Sequence, residues 1–291
     1  MAPVSRLLTV SALLITVAAA AAAAQPLKPE WSRPVGDRTR LVGVEEYGRC
    51  SVFVDKGAVQ VVAPSGAVSW TWPFGTISKY INPRDVAVSH ECDAIAFAGD
   101  ASYKYVWIVD RAGMSASIKL AATPADVEFD RTGRSVAVGT YAGSLLLYSV
   151  NGELLWMRPT QAKIVEGLAF ADDNQHIRFD GWSGSGVVSV AGHVESSVAG
   201  KEQPDDEVSG EHGYRWRIAT TADGGRMWLR ADDRIDCVDD GGTVFATIVA
   251  QPRYGGGVFV SRDFGQVLVV TEKDLHPVSV ERYAVPAPCR K

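Results

Sequence analysis

The chain is poor in the patterns that arrange reactive side chains. Its four cysteines, Cys50, Cys92, Cys237 and Cys289, form no Cys-x-x-Cys, and no histidine stands at metal-ligand spacing from any of them, so a zinc site of the ordinary kind is excluded. Five histidines, His90, His176, His193, His212 and His276, are scattered, and no serine occupies a Gly-x-Ser-x-Gly elbow; Gly184-Ser185-Gly186 reads as a loop. There is no run of lysine and arginine, and the net charge is −5, which argues against a nucleic-acid role built on clustered cations. After the first two dozen residues no segment approaches the roughly 20 apolar residues that a membrane helix needs. No long stretch shows a 3.6-residue apolar period either, so amphipathic helices are not expected.

What is present begins with an export signature. Arg6 supplies a positive start, Leu7 to Val17 an apolar core, and Ala22-Ala23-Ala24 a small-residue cleavage site before Gln25. The expectation is a signal peptide over 1–24 and a mature domain over 25–291 that is periplasmic or secreted, with no membrane insertion after cleavage. No cysteine follows the cleavage site, which argues against lipid anchoring.

Short runs rich in Val, Ile, Tyr, Phe and Trp recur between Gly, Asp, Asn and Pro clusters, an all-β pattern. Asp85-Val86-Ala87-Val88, Asp126-Val127-Glu128-Phe129 and Gly167-Leu168-Ala169-Phe170 start about 41 residues apart, a repeat period. Each is followed by a turn and a second strand, as in Asp130-Arg131-Thr132-Gly133 before Ser135-Val136-Ala137-Val138. A third strand, Leu145-Leu146-Leu147-Tyr148, and a fourth ending on an aromatic, Leu154-Leu155-Trp156, complete a four-stranded unit. Extending the register puts units near residues 42, 85, 126, 167, 216 and 258, with extra residues from about Glu195 to Gly213. The last unit lacks a fourth strand, because Pro286-Ala287-Pro288 interrupts it. Glu30-Trp31-Ser32-Arg33-Pro34 can supply that strand and close the ring, which hides free sheet edges. The expected fold is a single all-β propeller of about six four-stranded blades, with five to seven left open.

The Asp-x-x-Gly turn, with Gly66-Ala67-Val68-Ser69-Trp70 and Gly152-Glu153-Leu154-Leu155-Trp156, resembles the WD40-like and quinoprotein-like (PQQ-like) β-propeller repeats over about residues 29 to 285. Gly242-Thr243-Val244-Phe245 and Gly113-Met114-Ser115-Ala116 depart from that ending. The resemblance implies a ligand face made of the loops between second and third strands and between blades. Here those loops carry Trp72, Tyr80, Tyr103, Lys104, Tyr105, Tyr141, Trp182, Arg253 and Tyr254, which can line a funnel for a partner or can cap blade ends. A quinone-dependent dehydrogenase would also follow from the resemblance, but the adjacent cysteine pair typical of those enzymes is missing, and no cofactor is expected. Asp205-Asp206-Glu207, Asp232-Asp233 and Asp239-Asp240 read as solvated loops, since the interleaved ligands of a calcium loop are absent.

Four cysteines allow three pairings. Cys50 and Cys92 hold equivalent places after the first strands of neighbouring units, and Cys237 and Cys289 flank the ends of later third strands. The register therefore predicts disulfides Cys50–Cys92 and Cys237–Cys289, on the face opposite the aromatic loops. Together these readings predict a non-catalytic exported platform binding a protein or envelope component through the aromatic face. The alternatives are a hydrolase or lyase acting on a glycan or small molecule in the funnel, and a sensor module.

Overall fold

A computed structural model describes residues 26–35, 40–45, 48–55, 57–73, 85–99, 104–198, 207–210, 213–220, 227–230, 234–239, 241–249, 258–261, 264–273 and 276–289. The segment expected to be a signal peptide lies outside these residues. Strand β1 (Trp31–Pro34) precedes the first repeat. Blade 1 is β2 (Arg40–Val44), β3 (Ser51–Asp55), β4 (Ala58–Val62) and β5 (Val68–Pro73), antiparallel in that order. Blade 2 repeats it with β6 (Asp85–Val88), β7 (Ala94–Ala98), β8 (Tyr105–Asp110) and β9 (Gly113–Lys119). Blade 3 is β10 (Pro124–Phe129), β11 (Ser135–Thr140), β12 (Ser144–Ser149) and β13 (Leu154–Pro159). Blade 4 is β14 (Ile164–Phe170), β15 (His176–Trp182), β16 (Gly184–Ser189) and β17 (Val194–Val198).

Blade 5 has five strands, β18 (Glu207–Gly210), β19 (Gly213–Thr220), β20 (Met227–Arg230), β21 (Arg234–Val238) and β22 (Val244–Val249). Blade 6 is β23 (Val258–Val260), β24 (Gln266–Lys273) and β25 (His276–Ala284), and its fourth strand is β1, paired antiparallel with β25. The described residues thus form six sheets, closed by the N-terminal strand. The extra residues between blades 4 and 5 contribute the end of β17 and the whole of β18. β18 pairs with Gly213–Trp216, whereas β20 pairs with Trp216–Thr220, so a hairpin extends the inner strand of blade 5.

Burial explains why the middle strands carry apolar runs rather than alternation. β11 and β12 lie between two neighbouring blades, and Val136 to Thr140 and Leu145 to Tyr148 are buried on both faces. Outer strands such as β13 have one solvent face and alternate. Apolar clusters seat blade 1 on blade 2, 2 on 3, 3 on 4, 5 on 6 and 6 on 1. Each fully buried Val, Ile or Phe contributes on the order of 2 kcal/mol through burial.

The Gly-x-x-x-Trp pattern has a physical meaning in this ring. The glycine makes the turn into the fourth strand at positive φ, and the tryptophan reaches the next blade. Trp156 donates its indole N–H to the Val190 carbonyl at 2.8 Å, and a Cβ on Gly192 (φ 84°) would stand 3.1 Å from its ring. Trp31 does the same to the Pro64 carbonyl at 2.6 Å, and Trp70 donates to the Cys92 carbonyl at 2.9 Å. In blade 2 the place is taken by Ala116, which packs beneath Gly152, so the degenerate unit fills the contact with a smaller group.

The first and last described segments are both tied to blade 5. The Leu27 amide donates to the Thr247 carbonyl at 2.8 Å, and a 3-10 turn at Ala287–Cys289 places Cys289 in the cluster that holds Leu27 and Cys237.

Candidate functional site

The up-and-down order of each blade separates two faces. Connections from second to third strands, and from blade to blade, lie on one face; connections from first to second and third to fourth strands lie on the other.

On the first face the sequence-selected residues divide into two groups. Trp72 lies 5.8 Å from the Phe97 ring, and Tyr105 stacks on Trp107 at 5.6 Å with 16° between planes. Both are half-buried in the cluster between blades 1 and 2, so their rings serve packing. Tyr141 and Trp182 instead stay 43% and 56% exposed, on the second-to-third-strand turns of the adjacent blades 3 and 4. Lys163 places Nζ 5.8 Å from the Trp182 ring centroid, a cation–π contact. Lys104 is exposed and donates Nζ to the Ala121 carbonyl at 3.1 Å. Tyr80, Tyr103, Arg253 and Tyr254 lie outside the described residues.

The opposite face carries a site that the sequence reading did not select. A cavity of about 440 Å³ opens there on the ring axis, walled by inner-strand residues that include Val44, Ala87, Phe129, Leu168 and Val260. Its charged lining comes from the adjoining turns and strands: Glu45, His90, Glu128, Asp130, Arg131 and Arg178. The Glu45 side chain is almost wholly buried, accepts the Arg49 amide at 3.0 Å and stands 2.7 Å from His90 Nδ1. Asp130 is committed to its own turn, accepting the amides of Arg134 (2.7 Å) and Ser135 (3.1 Å) and the Thr132 hydroxyl (2.7 Å). Arg131 crosses to blade 4, donating to the Asp172 carboxylate at 2.6 Å and the Asp172 carbonyl at 2.9 Å.

The same turns carry the disulfide. Cys50 and Cys92 are bonded across blades 1 and 2, with Cα atoms 6.2 Å apart. Cys237 and Cys289, expected to form the second bridge, are both buried in one apolar cluster. Of the acidic runs, Asp239 caps its own turn through the Thr243 amide at 2.7 Å. Asp205, Asp206, Asp232, Asp233 and Asp240 lie outside the described residues, and Glu207 lies on β18. Among the described residues no three His, Cys, Asp or Glu side chains group to hold a metal ion. No described helix is long and apolar enough to cross a membrane.

No protein-family profile matches the chain, and no curated protein matches it. Solved structures do. The Cps50 (Swd1) β-propeller domain of Myceliophteria thermophila superposes with a TM-score of 0.63 at 9% identity, over 90% of this chain and all of that one. BamB from Moraxella catarrhalis gives 0.60 at 11% identity, over 88% of this chain and 99% of that one. These likenesses establish the fold, a β-propeller.

Proposed function

We propose that the chain is an exported, non-catalytic propeller that binds a protein or another envelope component through its aromatic face. The observation that carries this is the exposure of Tyr141 and Trp182 on consecutive blades, with Lys163 over the Trp182 ring. Large aromatics held on rigid turns offer contact area at little entropic cost, and such residues concentrate binding energy when a partner covers them. The Cys50–Cys92 disulfide and the signal-like start support an oxidising compartment. The likeness to BamB and to the Cps50 (Swd1) domain supports a scaffold for partners rather than a particular chemistry.

The test compares the wild-type protein with a Tyr141→Ser/Trp182→Ser variant in capture from an envelope extract, with unfolding midpoints measured alongside. A partner retained by the wild type and lost by an equally stable variant is the expected result. Equal capture by both, or by neither, overturns this reading and favours the second one, a hydrolase or lyase acting on a small molecule. That reading draws on the buried Glu45 held against His90 in the wall of the axial cavity.

A further inference from the structure

The axial cavity lies at the far end of the ring from Tyr141 and Trp182. Its volume of about 440 Å³ falls in the range of pockets for small ligands rather than of packing voids. The charges that line it differ in what already holds them. Glu45 is engaged by His90 and the Arg49 amide, Asp130 by its turn, and Arg131 by Asp172; Glu128 has a partner as well. Arg178 differs: it has neither an ion-pair nor a hydrogen-bond partner among the described residues. It stands on β15 opposite Ala169 of β14, beside an inner wall made largely of Val, Ala, Leu and Phe.

We propose that the axial cavity is a binding site for a small anion bearing a carboxylate or phosphate group, with Arg178 as the charge that receives it. The guanidinium offers a planar fork of donors that matches either oxyanion in bidentate fashion. The guanidinium is exposed on its strand, and the apolar wall on one side of it limits the solvent that competes for a bound oxyanion. The committed acids contribute selectivity: Glu45 and Asp130, already satisfied, repel an anion placed at their own end and leave Arg178 as the favoured position. Nothing in this assignment depends on the aromatic face.

The test is isothermal titration calorimetry of the full chain with two probes at fixed ionic strength, inorganic phosphate and succinate. The expected result is saturable binding of one equivalent of at least one probe. Arg178→Gln weakens it about tenfold to a hundredfold, the loss of a charge-assisted bidentate contact, and Arg178→Lys restores part of it. Binding of phosphate alone assigns a phosphorylated ligand; binding of succinate alone assigns a carboxylate. The Tyr141→Ser/Trp182→Ser variant binds as the wild type does, which keeps this site distinct from the aromatic face. No saturable heat with either probe up to about 10 mM overturns the proposal. So does Arg178→Gln binding within about twofold of wild type, since Arg178 is exposed on its strand and its replacement leaves the fold intact for comparison.

Discussion

Arg282 donates Nη1 to the carbonyl of Pro64 at 2.6 Å, a contact that spans 218 residues of sequence. The same carbonyl accepts the indole of Trp31, which is the cross-strand partner of Arg282 in the closing blade. One turn of blade 1 therefore receives two donors from blade 6. Arg33 reinforces the seam, donating to Gln60 at 2.7 Å with its guanidinium 5.4 Å from the centroid of the Phe53 ring. Trp31→Ala removes a large packed ring and one of these donors, and is expected to lower stability by about 2–3 kcal/mol. Denaturant unfolding followed by tryptophan fluorescence and circular dichroism measures it; an unchanged midpoint refutes the closing role.

The interlock between Gly192 and Trp156 predicts a graded pair of substitutions. Gly192→Ala forces a Cβ within 3.1 Å of the Trp156 ring at φ 84°, so both strain and displacement of the indole follow. Gly242→Ala meets nothing within 4 Å and bears only the left-handed backbone penalty, about 1 kcal/mol. The first is expected to exceed the second by at least about 1 kcal/mol in urea unfolding. Equal losses sink the interlock.

The fold was legible where burial on both faces writes itself as an uninterrupted apolar run, as in Val136 to Val138 and Leu145 to Leu147, and where turns recur at one period. The closing strand was legible because Pro286-Ala287-Pro288 leaves blade 6 short of a fourth strand and Trp31 repeats the outer aromatic. The axial site was hidden for a topological reason. Glu45 and His90 lie 45 residues apart on the turns of two blades, and only the ring packs them together. Arg178 sits among alternating residues of β15 whose pattern says nothing about an axis. Trp72 and Tyr105, read from the sequence as loop residues, lie on β5 and β8, and the sequence does not reveal that their rings turn inward onto Phe97 and Trp107.

The disulfide closes a loop between residues 42 positions apart, which restricts the unfolded chain. Reduction, or the Cys50→Ala/Cys92→Ala variant, is expected to lower stability by about 2–4 kcal/mol. Non-reducing peptide mapping identifies the bridge, and unfolding with and without reductant measures its effect. A midpoint insensitive to reductant contradicts the expectation.

His176 lies between two carboxylates, Nδ1 2.5 Å from Asp173 and Nε2 3.1 Å from Glu195. The Asp173 hydrogen bond, aided by both negative charges, raises its pKa above the ordinary 6.5. A raised folded value means that the stabilising contribution is complete below the unfolded pKa and is lost as pH rises through the folded one. The C2 proton resonance is expected to titrate above pH 6.5 and to fall back in Asp173→Asn. A wild-type midpoint at or below 6.5 excludes the arrangement.

The placement of β1 inside blade 6 also governs timing. Its partner β25 ends at Ala284, so β1 has no partner strand until the other described strands have all been synthesised. Blades 1 to 4 are assembled from consecutive strands and can form in order as they emerge, but the seam joins the earliest strand to the last. A growing chain is therefore an open arc with unpaired edges at both ends, and the pairing of β25 with β1 is the event that converts it to a ring.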